Sequence, residues 1–341
     1  MSNTLSADRR RAMLRTAMGP DIGMALDDAR VVEIMVNPDG ALRLDRLGAG
    51  RGDTGIRMDP MQVERIIRLV ASHARAEVHG DAPIVSAELP PRTDGHAGER
   101  FEGLLPPVAT APCFSIRKPA TRLYTLLDYV SDGIMSADAA RLLAQAVADR
   151  CNILVAGGTS SGKTTLANAL LAEMAHLDER VILIEDTREL QSPAADTVAL
   201  RTRAGVVGMA DLVRSTLRLR PDRIIVGEVR GPEALDMLKA WNTGHPGGIA
   251  TVHANSATSA LYRIEQLVQE AVVTVPRRLI ADAIDIVIFI AGRGIARRIQ
   301  SIVRVTGVDP GGSYAVVDIS PSPQGEDPCI VPVSPPPARP S

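Results

Sequence analysis

Only three of the 38 basic residues are lysines, only three of the 341 residues are cysteines, and aromatic residues make up 2% of the chain. Each scarcity excludes something. Cys113, Cys151 and Cys329 are odd in number and far apart, which rules out a disulfide framework and a four-cysteine zinc site and fits a reducing cytosol. Few aromatics and a net charge of −2 leave little surface for bases to stack on and no basic field to draw a polyanion, so direct nucleic-acid binding is not indicated. No apolar run approaches the ~20 residues that span a bilayer. The longest, Ile284 to Ala291, is interrupted by Asp285, so any membrane association is expected to be peripheral. The first residues carry Asp8 and four arginines from Arg9 to Arg15, without the apolar centre of a signal peptide.

What is present is 45% apolar residues, enough to supply two cores in a chain of this length. Residues 1–20 read as a polar helix or loose arm, and residues 21–118 as a small α+β domain. In that domain a β-branched run from Val31 to Val36 leads through Asn37-Pro38-Asp39-Gly40 into a second strand. Asp59-Pro60 starts a helix in which Val63, Ile66, Ile67 and Val70 recur at helical spacing. Short strands are expected at 84–89, 100–104 and 114–118, and residues 119–136 read as a linker. Ser136 caps a helix through Asp149. From Asn152 onward apolar runs alternate with helical stretches, the pattern of a mainly parallel sheet, within a domain over 137–308. Beyond Asp309 the chain turns rich in Pro, Gly and Ser and reads as a disordered tail.

One of the three lysines falls in Gly157-Gly158-Thr159-Ser160-Ser161-Gly162-Lys163-Thr164, which matches G-x-x-x-x-G-K-[ST] and directly follows the apolar run ending at Ala156. Glycines let the backbone wrap a polyphosphate with its N–H groups inward, and the helix beginning near Lys163 adds the positive end of its dipole. Lys163 is expected on the β- and γ-phosphates of ATP, Thr164 on Mg²⁺, and Thr165 completes the loop.

Such a loop needs acidic partners, and two strand ends offer them. Arg223 to Gly227 reads as a buried strand running into Glu228, a Walker B arrangement with Glu for the usual Asp. Val181 to Ile184 runs into Glu185, Asp186 and Glu189. Of two histidines in the 244–255 stretch, His253 stands at a carboxyl strand end, where it could sense phosphate or polarise water. Arginines that could act between subunits are Arg92, Arg100 and Arg117 early in the chain and Arg201, Arg203, Arg214, Arg218 and Arg220 later; the sequence does not choose among them.

Four boxes thus stand in order: G-G-T-S-S-G-K-T-T at 157–165, I-E-D-T-R-E-L at 184–190, L-R-P-D-R-I-I-V-G-E-V-R-G at 219–231 and G-H-P-G-G-I-A-T-V-H-A-N-S at 244–256. Together they resemble the Walker A, Asp, Walker B and His boxes of the secretion-ATPase superfamily, the traffic ATPases of type II and IV secretion. Residues 98–108 and 115–119 are similar to its first-domain segments. The resemblance implies a RecA-like core behind an α+β domain, ATP between the two domains, and a hexameric ring motor at the cytoplasmic face of the inner membrane beside a conjugation or type IV secretion apparatus. It also implies that Lys163 and Thr164 bind phosphate and Mg²⁺ and that Glu228 serves the metal and water. Glu189 would be the general base, His253 the second His-box histidine, and Arg100 and Arg117 would lie near the phosphates. Ser160 stands where many pilus and type II motors have Gly, and the tetracysteine zinc element of many type II motors is absent; both favour the conjugation branch. A pilus or type II motor is the alternative, and a nucleotide-gated nucleic-acid binder is a weaker one.

Overall fold

The computed structural model describes residues 2–90, 98–119, 123–203 and 205–321, so Arg92 and the Pro335–Pro337 run lie outside the described residues. The chain forms two compact units, residues 1–122 and 123–341.

The first unit opens with α1 (Ser2–Asp27), a helix broken where Gly19 takes φ +82° ahead of Pro20. Then follow β1 (Val31–Val36), β2 (Ala41–Arg46), β3 (Gly50–Arg57), α2 (Pro60–Ala74), β4 (Ile84–Glu88), β5 (Arg100–Leu104) and β6 (Cys113–Arg117). The strands form one antiparallel sheet in the order β3-β2-β1-β6-β5-β4. Asp59 caps α2 by accepting from the N–H of Met61, and Pro60 fills the first turn, where its missing N–H costs nothing. Alternation puts Ile34, Phe101, Phe114 and Ile116 on one face, in a core with Ile66 and Ile67 of α2. The core also takes Leu14 and Met18, so this part of the expected arm is packed helix. The opposite face carries charge. Glu88, Arg100, Arg117 and Glu33 are successive partners across four adjacent strands.

The second unit runs α3 (Leu126–Ser131), α4 (Ala137–Ala148), β7 (Ile153–Gly157), α5 (Lys163–Ala172), β8 (Arg180–Glu185), β9 (Asp196–Arg201), α6 (Met209–Thr216) and β10 (Arg223–Val226). It continues through α7 (Glu233–Asn242), β11 (Ile249–His253), α8 (Ala257–Gln269), α9 (Arg277–Ala283), β12 (Ile286–Ala291), β13 (Arg298–Val308) and β14 (Tyr314–Asp318). The sheet order is β14-β13-β12-β7-β11-β10-β8-β9. It is parallel from β12 to β9, with β13 and β14 antiparallel at one edge. Every residue of β7 and β10 is buried, as strands covered on both faces require. One core packs Leu154, Ile182, Val226 and Val252 against α7 and α8; the other packs Ile153, Val155, Leu183 and Ile288 against α4 and α5.

The strand and helix series from Ile153 to Thr306 follows the expected alternation, with differences at its margins. Residues 126–131, within the expected linker, form a helix closed by a capping box between Thr125 and Asp128. Residues 314–318, within the expected tail, pair with β13, and Tyr314 is buried with its hydroxyl donating to Glu265 at 3.1 Å. The Gly311-Gly312 composition that reads as tail is the turn of that hairpin. β3 and β9 are edge strands without a fully buried residue, held largely by backbone pairing, though Val198 and Leu200 of β9 pack partly against the core. Among the described residues no helix is long and apolar enough to cross a membrane.

Candidate functional site

Parallel pairing places Gly157 beside His253 on one side and Ile290 on the other, so the loops that follow β7, β11 and β12 leave the sheet at one edge. Binding sites of parallel α/β sheets gather at such carboxyl edges. The Gly158–Gly162 loop turns from β7 into α5, and Gly162 caps that helix at φ +98°. Ser160 takes φ +61°, a conformation that favours glycine, so a serine here costs roughly 1 kcal/mol of strain. Ser161 is buried, and its Oγ has no hydrogen-bond partner among the described residues. Thr164 and Thr165 follow in the first turn, both partly exposed.

Lys163 is 93% buried, with 7% of its surface exposed. Its ammonium donates to the Gly158 carbonyl at 3.1 Å and lies 3.3 Å from Nδ1 of His253. His253 Nε2 in turn lies 2.7 Å from Glu228 Oε1, a close polar contact rather than an aligned hydrogen bond. Burial first, and then the Lys163 charge, hold the imidazole pKa below its ordinary value, with Glu228 opposing them. A neutral ring with its proton on Nε2 suits both neighbours: Nδ1 accepts from the ammonium, and Nε2–H faces the carboxylate. Three expected site residues, from the start of α5, the end of β11 and the loop after β10, are thus brought together.

Arg230, not singled out from sequence, joins them. It donates to Glu228 Oε2, and its other terminal nitrogen is 3.9 Å from Asp186. It therefore ties the loop after β10 to the loop after β8. Thr251, buried in β11, donates to the Gly227 carbonyl at 2.6 Å and fixes the backbone under Glu228.

Glu185 and Glu189 stand differently. Glu185 is buried, and its carboxylate turns back into its own loop, accepting from the N–H of Glu189 at 2.9 Å and of Leu190 at 2.8 Å. Burial pushes its pKa up to about 7, against those two hydrogen bonds. Glu189 stays partly exposed. Asn168, buried in α5, clamps the segment from the other side: its Nδ2 donates to the Glu189 carbonyl and its Oδ1 accepts from Gln191 N–H, each at 2.9 Å. The signal for Asn168 was a lone amide in the apolar stretch Leu166 to Leu171, which needs a partner when buried.

Arg100 and Arg117 are direct cross-strand partners on β5 and β6. Like charges so placed repel, and Glu88 and Glu33 flank them. Arg214 is committed to Asp211 and Asp236, and His245 lies 3.0 Å from the Pro221 carbonyl, away from the phosphate-loop edge. Oxygen donors from Thr164 and Glu228 suit Mg²⁺, which keeps several waters and takes one or two protein ligands beside a nucleotide's phosphates. Among the described residues no three His, Cys, Asp or Glu groups gather as a metal cage.

Residues 62–305 match the family described as Type II/IV secretion system protein. Similar relatives include the conjugal transfer protein TrbB of Rhizobium radiobacter, 46% identical over 309 residues that cover 90% of this chain and 94% of that one. The probable conjugal transfer protein TrbB of Sinorhizobium fredii is 48% identical over 294 residues, covering 86% and 88%. Among solved structures the Legionella pneumophila ATPase DotB is similar in fold, with TM-score 0.57 and 18% identity over 86% of this chain and 77% of that one.

Proposed function

The chain belongs to the Type II/IV secretion system protein family, with its eight-stranded unit as the RecA-like core, and we propose that it is an ATP-hydrolysing hexameric motor of a conjugative type IV secretion apparatus. The observation that carries this reading is the convergence of Lys163, His253 and Glu228 at the mouth of the phosphate loop. The TrbB relatives favour the conjugation branch over a pilus or type II motor.

In the proposed mechanism the N–H groups of residues 158–165 and the α5 dipole receive the phosphate chain. Lys163 exchanges its contacts with Gly158 and His253 for the β- and γ-phosphates. Thr164 and Glu228 would hold Mg²⁺, which neutralises charge on the phosphates. Glu189 accepts the proton of the attacking water, and water and ATP become ADP and phosphate. Glu185 acts by positioning: its carboxyl organises the backbone that presents Glu189. His253 touches both Lys163 and Glu228, so moving either one moves the ring, which makes it the γ-phosphate sensor of the site. Arg100 and Arg117 are assigned to the phosphates as well. The motor is placed at the cytoplasmic face of the inner membrane, held there by membrane components of the apparatus.

Phosphate release by the purified full chain with ATP and Mg²⁺ tests the core of this reading. Wild type is expected to turn over, and Lys163→Ala to lose at least ~100-fold through loss of binding or chemistry. Wild-type turnover in Lys163→Ala would sink the site assignment, and a strictly monomeric chain under all nucleotide conditions would sink the ring.

A further inference from the structure

We infer that Arg297, on the β12–β13 connection, is a phosphate-chain ligand of this same site, an inference that rests on the nucleotide-binding reading of residues 157–165. The register of β7 with β12 sets the Gly158–Gly162 loop and the Gly292–Arg297 turn side by side. That turn is closed tightly. Gly292 takes φ +81°, and a Cβ there would lie 2.1 Å from the Ala296 carbonyl oxygen, so only glycine fits and the turn's shape is set in advance.

The turn delivers two arginines to the phosphate loop. Arg293 Nε donates to the Thr159 carbonyl at 3.2 Å, anchoring the turn to the loop backbone. Arg297 lays its guanidinium on Gly162, where a Cβ would meet Nε at 2.9 Å and Cζ at 3.0 Å. The space a side chain at 162 would fill is therefore held by a cation, directly over the N-cap of α5.

Among the described residues Arg297 has no counter-charge within ion-pair distance. It is partly buried, its Nε is enclosed without a hydrogen-bond partner, and it makes no ion pair among the described residues. Many arginines of the chain behave otherwise: Arg180 meets Asp196, Arg214 meets Asp211 and Asp236, and Arg277 meets Glu265. Of the four other polar atoms of this unit buried without a hydrogen-bond partner among the described residues, two are hydroxyls, Ser161 Oγ in the loop and Tyr129 OH in α3. Burial raises the Tyr129 phenol pKa, with the Arg297 charge the chief opposing influence, so the two lie close enough to feel one another. A cation, a hydroxyl and a helix N-terminus left unsatisfied together match one kind of ligand, a phosphate oxygen, which a planar guanidinium can take up with two parallel donors.

Equilibrium titration of the full chain with ATP, ADP and inorganic tripolyphosphate separates the possibilities. Arg297→Met keeps the bulk over Gly162 and removes the charge; it is expected to weaken all three ligands about tenfold and to flatten the salt dependence of binding, while melting with wild type. Arg297→Lys, which keeps the charge but loses the fork, should recover part of the loss. Unchanged affinities in Arg297→Met, beside a wild type that binds and a Lys163→Ala that does not, would overturn this inference and leave the phosphate-loop reading standing. Weakened ATP with unchanged tripolyphosphate would also overturn it, since the contact would then be to the nucleoside. A wild type that binds none of the three would remove the underlying reading instead.

Discussion

In the eight-stranded sheet the charged side chains that meet one another stand at strand ends, whereas in the six-stranded sheet they stand along a face. The cause is the pairing. Parallel strands buried on both faces have no room for charge along their length, so Lys163, Glu185, Glu228 and His253 all lie at or just past a carboxyl end, and the loops there converge. Antiparallel strands pack one face against α1 and α2, and Glu88, Arg100, Arg117 and Glu33 line up across the opposite face. A substitution at a strand end should therefore strike chemistry, and one on the charged face should strike function with little structural cost.

The sharpest version of that contrast is Glu189→Gln, with the largest expected effect. Glu189 is held by its backbone, through Glu185 and Asn168, so the amide variant keeps the loop and loses only the base. Turnover is expected to fall roughly 100- to 1,000-fold with ATP affinity within a few-fold of wild type, since a positioned general base contributes on the order of 10²–10⁴. Phosphate release paired with equilibrium ATP binding checks it; turnover at the wild-type rate would take the base assignment away from Glu189.

On the face of the other sheet, Arg117→Ala sharpens the comparison from the opposite direction. The side chain is exposed and sits between Arg100 and Glu33, so its removal relieves a repulsion and gives up an attraction, and should change stability by less than ~0.5 kcal/mol. Turnover should nonetheless drop roughly 10- to 1,000-fold if the arginine serves the transition state. A variant that melts with wild type but hydrolyses slowly supports the proposed role, and one that hydrolyses normally makes the charged row a solvated face and nothing more.

The same contrast explains which parts could be read from the sequence. Apolar runs such as Ile153–Ala156 and Ile224–Val226 announced buried strands, and the glycine-rich loop after the first and Glu228 just past the second announced the strand ends. β3 with its three glycines has no such pattern, and the apolar runs of β9 (Val198–Leu200) and β14 (Tyr314–Val317) are only three or four residues long and lie among polar or glycine-rich stretches, so pairing with a neighbour the sequence does not name decides them. Arg297 was invisible for a related reason: its place over Gly162 depends on β12 lying next to β7, two strands more than a hundred residues apart. Asn168 could have been suspected from its apolar surroundings, but not its partners.

The smallest expected effect probes how a strand end tolerates a carboxyl whose proposed part is to position the backbone of its own loop. Glu185 ends β8 inside the core, and burial raises its pKa from 4.5 to about 7. The folded state thus holds the proton more tightly than the unfolded chain. Its favourable contribution is complete below about pH 4.5 and is lost as the pH climbs to about 7, above which the buried carboxylate lowers stability by about 1–3 kcal/mol. Glu185→Gln keeps an oxygen to accept from Glu189 and Leu190 and cannot ionise, so it should match wild type near pH 5 and exceed it near pH 8 in thermal or denaturant unfolding. Parallel pH profiles would mean that the carboxyl ionises freely in the fold, and the strand end would then be as well solvated as the charged face of the other sheet.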